Sequence, residues 1–597
     1  MAAELPAALN ADAIAATCEV LRAAVALPVE QYESNPALRP LRQAIGPLLA
    51  RSLGRTYDGA GPQGKDRDAA RKAHRRQANR LRQQAVAAER AAADRSALRA
   101  QRLARLAASA AEGDVPRIAD GPATVPTPAI EDESDAGGAA WSLACCYACR
   151  TRFPATATHA FYGAAFCPAC AQLNFEKRTQ TADLRGRGAL VTGARVKIGF
   201  RVALKLLRAG ATVVATSRFP ADCARRFAAE PDADDWRDRL RCVGCDFRDL
   251  GAVEALCAAV PELLGCGLDV LVNNACQTVR RPPQYYLPLL QAEASIQPEE
   301  AEQVERWTAA HTAIRKVLDA PKEVEANSGS KEGAIDVADA GAGGSSGGDA
   351  TTAAAAAILP GMSLLPNASA VGQSAALSQL AIVPGDEVVD HAAFPKGRTD
   401  GNKDLNQQLD LRAKNSWMLK LEEVSTPEMA EVLAINALAP AVINGRLKSF
   451  MVASGAPDST PSGEEEAERP TAHSLKFIVN VSAMEGRFYK YKQPTHPHTN
   501  MAKAALNMMT RTSAADYAKQ SIYMTAVDTG WINDEKPAAQ AAADAATHNF
   551  QTPIDEIDAA ARVLDPIIAP LKSLDGGGEA KPLWSGCFLK DYEQCEW

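Results

Sequence analysis

Short apolar runs alternate with helical patterns along two stretches of this chain. The first run ends at Val191 and breaks into a Gly-punctuated turn, Thr192-Gly-Ala-Arg-Val-Lys-Ile-Gly199, followed by a helix from Phe200 to Arg208. Three further strand patterns follow: Thr212 to Thr216, ending in Ser217-Arg218; Leu240 to Cys245, ending in Asp246; and Leu268 to Val272, running into Asn273-Asn274-Ala275. The alternation resumes with a helical run from Glu428 to Leu438, strands at Phe477 to Val481 and Ile522 to Val527, a helix opened by Lys503, and a last strand over Trp584 to Phe588. Strands alternating with helices predict right-handed crossovers and a parallel sheet. The expected fold class is α/β, a doubly wound Rossmann sheet with ligands at the carboxyl ends of its strands, where Thr192, Asp246 and Asn273 fall.

The length of 597 residues exceeds one core, and the pattern divides it. Residues 1–140 are expected to be an Ala/Arg-rich helical region, partly disordered; 141–180 a zinc knuckle; and 184–597 the Rossmann domain. Within that domain residues 291–410 form a long insertion, Ala/Gly/Ser/Asp-rich over 326–357, which reads as mostly disordered and emerges near the active-site rim. No run of 18 or more apolar residues is present, so no membrane span is expected, and the first 20 residues lack a basic start and apolar centre. The expected compartment is cytoplasmic.

A net charge of -7 is mild for this size, but its distribution is uneven. Residues 65–105 carry 13 Lys/Arg against four acids, the pattern of a basic helix that either is merely solvated or docks an acidic protein or nucleic acid.

Of 14 cysteines, four form two CxxC pairs, Cys146/Cys149 and Cys167/Cys170, separated by 17 residues. Two such turns place four thiolates on one tetrahedral structural zinc. Phe153, Phe161, Tyr162 and Phe166 between them supply a small core that the metal completes. A closed site leaves no ligand position for substrate, so the knuckle is read as structural, with a possible role in docking a protein partner. Cys242 and Cys245 lie on a strand and are expected in the core.

A strand, a Gly-punctuated turn and a helix build a dinucleotide phosphate site. Gly193 permits the tight turn and Gly199 lets helix and strand approach, while Lys197 stands where the tightest form of the motif has glycine. The strand ending in Ser217-Arg218 lacks an acid for a ribose 2'-hydroxyl. An arginine there accepts a 2'-phosphate instead, and Arg195 adds positive charge, which favours NADP over NAD.

Taken in order, Thr192-Gly193, Gly199, Asp246, Asn273-Asn274-Ala275, Asn436, Ser482 and Lys503 resemble the short-chain dehydrogenase/reductase family, over roughly residues 184–290 and 415–595. The resemblance implies hydride transfer between nicotinamide and a carbonyl or alcohol substrate, and a homo-oligomer built through sheet-flanking helices. It also implies that Asp246 contacts adenine, that Asn273 and Ala275 lie beside the ribose, and that Ile198 and Thr529 line the cofactor. Ser482 would polarise the carbonyl, Asn436 hold a relay water, and Lys503 assist a tyrosine four residues earlier. That position is Thr499, whose aliphatic hydroxyl is a far weaker acid than a phenol of pKa about 10. His498, Tyr489 and Tyr491 are the candidate substitutes, and the sequence does not choose among them. Two functions are therefore expected in competition: an NADP-dependent oxidoreductase, or a nucleotide-binding scaffold that has lost turnover and acts through its knuckle and basic helix.

Overall fold

The computed structural model describes residues 96–102, 143–319, 373–399, 407–454, 474–533, 535–541, 551–576 and 582–597, apart from 156, 297, 489 and 490, with short stretches between 11 and 80. The chain divides into two units, Met1–Arg90 and Ala91–Trp597. In the first, a helix α1 spans Ala11–Val25. Most of the basic 65–105 segment lies outside the described residues.

In the second unit a two-stranded ribbon, β1 (Leu143–Cys145) with β2 (Arg152–Pro154), precedes helix α2 (Pro168–Thr179). The Rossmann core follows as β3 (Gly188–Val191), α3 (Lys197–Arg208), β4 (Thr212–Ser217), α4 (Pro220–Ala228), β5 (Leu240–Gly244), α5 (Leu250–Leu264) and β6 (Leu268–Asn273). Next come α6 (Pro283–Ala294), α7 (Pro298–Asp319), α8 (Thr426–Leu433), a π-turn over Ala434–Leu438, α9 (Ala439–Ala453) and β7 (Lys476–Ser482). The chain closes with α10 (Pro497–Ala518), β8 (Ile522–Asp528), α11 (Glu556–Gly576), β9 (Phe588–Lys590) and β10 (Glu593–Cys595).

These strands form one eight-stranded sheet in the order β10-β9-β8-β7-β6-β3-β4-β5, parallel except for the β9/β10 hairpin. Strand order reverses between β3 and β6, which creates the crevice where such sheets bind ligands. Both faces are covered, so the strands are apolar on both sides rather than alternating. Ala189 and Val191 pack with Phe200, Leu204 and Ile567 on one face, and Leu190 packs with Leu256, Ile443 and Leu447 on the other.

The last strands shift the expected one: β9 is Phe588–Lys590, while Gly586 and Cys587 already bond Met524 and Ala526 of β8, at 2.8 and 3.1 Å, and β10 forms the edge. Asp591 and Tyr592, both with positive φ, make the two-residue turn that sends β10 back antiparallel. Cys242 and Cys245 are buried as expected.

Two stretches of the 291–410 insertion are built into the domain. Helix α7 covers the edge strand β5: Trp307 stacks on Trp236 at 5.9 Å, and His311 Nδ1 accepts from the Gly244 amide at 3.1 Å. Farther on, Ala375 and Phe394 join Phe219, Tyr285 and Tyr286 in a separate apolar cluster beyond the end of β4. The Gly/Ser-rich residues between these stretches lie outside the described residues.

Candidate active site

The turn after β3 is locked from below. Thr192 Oγ1 accepts from the Asn274 and Ala275 amides at 2.9 and 3.0 Å, and Asn274 Nδ2 donates to the Thr192 and Gly193 carbonyls at 3.0 and 3.1 Å. A Cβ on Gly199 would stand 2.2 Å from the Gly193 oxygen, so helix and turn touch only because both residues are glycine. Lys197 adopts φ +55°, a left-handed conformation costly for a side chain, as expected where glycine is usual. With the Asn533 amide turned to satisfy both its atoms, Lys197 Nζ donates to Asn533 Oδ1 at 2.7 Å, spanning from this turn to the loop after β8. Ile198 packs against the core.

Beyond β4 the structure separates the candidate cofactor contacts. Ser217 Oγ is used locally, accepting from the Phe219 amide at 3.0 Å, and Arg195 is paired with Asp222 at 2.8 Å. Arg218 is held by hydroxyls instead: its guanidinium donates to Ser378 at 2.7 Å and Tyr286 at 3.2 Å and lies over the Tyr286 ring. Among the described residues no carboxylate pairs with it. Arg218, Arg248, Arg280, Arg281, Tyr286 and Ser378 line a small, partly open pocket, with the insertion supplying Ser378. Asp246 is clamped by Arg248, which also reaches Glu431 at 2.9 Å. Burial pushes the Asp246 carboxyl up, but the Arg248 hydrogen bonds outweigh it and hold the group below its ordinary value.

On the other side of the crevice, Asn273 Nδ2 donates to Asn444 and Asn480, a buried amide network tying β6 to α9 and β7. The π-turn presents Asn436, whose side chain is spent on both backbone groups of Gln277, at 2.8 and 3.0 Å, fixing the loop after β6. Lys503 is buried and donates to the Val481 carbonyl at 2.8 Å; no other partner of its ammonium is recorded among the described residues, which leaves two donors for a ligand.

Ser482 is not presented to the crevice. Its hydroxyl donates to Asn507 Oδ1 of α10 at 2.6 Å, on the same strand face as Asn480, which bonds Thr510 of that helix. Thr499 occupies the expected tyrosine position, buried, with no hydrogen-bond partner for its hydroxyl. His498 is fully buried with both ring nitrogens unpartnered, its Nε2 3.7 Å from Glu428 Oε1. Burial, then the neighbouring His496, pulls its pKa down to about 4, while burial raises Glu428. A neutral imidazole therefore faces a reluctant carboxyl. Tyr491 is 74 % exposed, and Tyr489 lies outside the described residues. His496-Pro497-His498 is a helix entry: His496 takes φ 47° before Pro497 opens α10.

After β8, Thr529 Oγ1 contacts only the Gly530 carbonyl, at 3.4 Å, while Asp528 is buried. Burial raises the Asp528 carboxyl to about 6, against the attraction of Lys590 4.0 Å away. An acid raised on folding keeps its proton in the folded state where the unfolded chain has lost it, so stability falls as pH rises from about 4 to about 6. Asp528→Asn, which mimics the neutral acid, is expected to stabilise the protein by up to about 3 kcal/mol at pH 8 and by almost nothing at pH 4. Urea titrations at both pH values check this.

The four knuckle sulfurs of Cys146, Cys149, Cys167 and Cys170 all lie within 4.8 Å of one another, with Cys149 and Cys167 3.7 Å apart. Tetrahedral zinc at 2.3 Å sets sulfurs about 3.8 Å apart, so the cluster fits such an ion. Cys145 stands outside the group. The knuckle is fastened to the Rossmann domain by Arg178 of α2, which grips Asp555 at 2.6 and 2.8 Å and Asp558 at 3.0 Å, and by Tyr162, which donates to Asp558 at 2.6 Å. No sequence pattern announces this junction or the Asn436–Gln277 contact.

The sheet order and its crevice define an α/β protein of doubly wound type. Residues 187–297 match the sequence profile of the short chain dehydrogenase family, in keeping with the resemblance drawn from the sequence. An uncharacterized protein of Acanthamoeba polyphaga mimivirus is 27% identical over 443 residues, 72% of this chain and 73% of that one. A fatty acyl-CoA reductase of Mycobacterium tuberculosis is 34% identical over 103 residues, 17% of this chain and 34% of its own length. The chain thus spans about a third of the latter relative. Among solved structures, an NADPH-bound carbonyl reductase from chicken fatty liver aligns at 16% identity and a TM-score of 0.35, covering 70% of this chain and 98% of that one. Among the described residues no helix is long and apolar enough to cross a membrane.

Proposed function

We propose that this protein is an NADP-dependent oxidoreductase acting on a carbonyl or alcohol, with a structural zinc in its knuckle. One observation carries the reading: two cations flank the β3/β6 crevice, Arg218 beyond β4 and Lys503 against β7; hydroxyls and a carbonyl hold them, and Asp246, itself clamped by Arg248, reaches Arg218 only through its field. NADP would supply the hydride. Arg218, with Ser378 and Tyr286, would hold a 2'-phosphate; the turn from Thr192 to Gly199, with Lys197, would cradle the pyrophosphate; and Lys503 would take ribose hydroxyls. Asn436 acts by fixing Gln277 rather than by reaching the reacting carbon. Ser482 acts by seating α10. The proton must come from a group other than Thr499, and His498 beside Glu428 is the titratable pair nearest that position along the chain.

A second reading has specific support. Thr499 in place of tyrosine and the inward Ser482 favour a dinucleotide-binding regulator without turnover. Fluorescence titration with NADPH and NADH, followed by a screen of aldehydes, ketones and quinones, separates the two. Arg218→Ala is expected to weaken NADPH binding by roughly 10- to 100-fold, the worth of charge-assisted hydrogen bonds, while leaving NADH nearly unchanged. Equal losses for both nucleotides would remove the 2'-phosphate assignment; turnover that disappears in His498→Asn would identify the acid, and binding without turnover would favour the regulator.

A further inference from the structure

Tyr147 sits between two candidate metal ligands, Cys146 and Cys149; its ring packs on the knuckle's core, but its hydroxyl reaches beyond it. Its hydroxyl accepts a hydrogen bond from the Trp531 amide at 2.9 Å, in the loop that follows β8. The ring is fixed edge-on to Phe166 at 5.7 Å and lies 5.2 Å below the Lys590 ammonium. The contact demands a close approach: a Cβ on Gly530 would come within 3.4 Å of the Tyr147 oxygen and 2.6 Å of Ile554. Ile532 of the same loop and Ile554 pack into the knuckle's own core with Phe153, Phe161, Tyr162 and Phe166. One residue farther, Asn533 meets Lys197 of the Gly-rich turn. An unbroken series of contacts therefore runs from the metal turn, through Tyr147 and Trp531–Asn533, to the nucleotide cradle.

We propose that the knuckle is a metal-dependent strut for this loop, and that Tyr147 is its positioning residue: metal occupancy sets where Thr529–Asn533 stand and hence how well the crevice holds its nucleotide. The inference rests on reading the cysteines as a metal site and the crevice as a dinucleotide site. The physical cause is size. Four aromatic rings are too small a core to hold one shape unaided, so the metal determines whether the Cys146–Cys149 turn keeps the geometry that aims Tyr147 at Trp531. Without the hydroxyl the Trp531 amide loses its acceptor, and the loop loses one of the bonds fixing it.

The test compares wild type, Tyr147→Phe and the double variant Cys167→Ser/Cys170→Ser by hydrogen exchange, zinc content and NADPH titration. Tyr147→Phe is expected to retain zinc and the exchange pattern of β3 and β6. Peptides spanning 529–533 should exchange up to about 10-fold faster, and NADPH affinity should fall by up to a similar factor, the worth of one hydrogen bond of about 0.5–1.5 kcal/mol. The double variant should lose zinc and show the same loop exposure with Tyr147 intact. Wild-type protection of 529–533 in zinc-loaded Tyr147→Phe, or in the metal-free double variant, would overturn the strut, as would a wild-type protein that contains no metal. Should wild type bind no NADPH, the exchange measurement still decides the strut, and the failure falls on the dinucleotide reading alone.

Discussion

Arg178→Ala is expected to lower the unfolding free energy by roughly 3–5 kcal/mol, the cost of leaving buried charge without its partner. Arg178 is itself buried, and it faces Asp555 and Asp558, which are 3% and 0% exposed. Its guanidinium lies 4.6 Å from the centre of the Phe161 ring, so it joins the knuckle core to α11 as well as neutralising the acids. The two carboxyls divide their proton affinities. Burial pushes Asp555 up, but Arg178 outweighs it and holds that group ionised far below the usual range; Asp558 is pushed up by burial and by Asp555, more than Arg178 can offset. Without the arginine, both acids are buried beside each other with Tyr162, local amides and the weaker fields of Arg562 and Arg102 to satisfy them, and at least one must take a proton. The variant's carboxyls would then titrate upward on folding. Folded-state protons are held where the unfolded chain has released them, so its stability falls with rising pH, and the deficit against wild type should be smaller at pH 5 than at pH 8. Denaturant titrations at the two pH values measure this. A loss below about 1 kcal/mol at pH 8 would mean that water reaches the pair and that the junction is an ordinary surface contact.

The same junction shows where reading from the sequence stops. The strands were legible because a sheet covered on both faces makes its strands apolar throughout, and β3, β4 and β6 are runs of that kind. Thr192, Asn273 and Gly199 were legible because a turn at a strand end requires particular residue types at fixed spacing. Arg178 and Asp555 are 377 residues apart, and nothing in either neighbourhood announces the other. Tyr147 was hidden differently: inside a CxxC turn, attention goes to the sulfurs, and the intervening aromatic looks like part of the knuckle's core.

Ser482 faces α10 for a reason the sequence does contain. Strand side chains alternate, so Ser482 shares a face with Asn480, and two polar residues on one face of a buried strand need polar partners behind them. Asn507 and Thr510, three apart on α10, are those partners. The insertion was read as mostly disordered from its Gly/Ser-rich middle, whereas Trp307, Ala375 and Phe394 near its ends are buried and give it two anchors on the domain. Those anchors matter for function because the second brings Ser378 to Arg218.

Gly199→Val is expected to abolish nucleotide binding, raising the NADPH dissociation constant at least ~100-fold, or about 2.8 kcal/mol at 1.4 kcal/mol per decade. The new Cβ would stand 2.2 Å from the Gly193 carbonyl oxygen and 2.4 Å from Asn274 Nδ2. Neither neighbour can yield cheaply. The Gly193 oxygen belongs to a turn already at φ +66° and pressed against Ala275, where a Cβ would meet the Ala275 Cα at 2.8 Å. Asn274 Nδ2 is the donor that ties the Thr192 and Gly193 carbonyls to β6. The first turn of α3 must therefore swing outward, carrying its amides away from the crevice, since those amides and the helix end are what a pyrophosphate binds. Overpacking of this kind costs typically 1–3 kcal/mol of stability, so the variant should still fold at 25 °C. Circular dichroism establishes the fold and fluorescence titration the affinity. Binding lost in a folded Gly199→Val but retained in Arg218→Ala for NADH would place the phosphates on the α3 turn and the 2'-phosphate on Arg218 as separate determinants. Unimpaired NADPH binding by a folded Gly199→Val would show that the nucleotide, if bound, does not use this turn, and the dinucleotide reading of the crevice would fall with it.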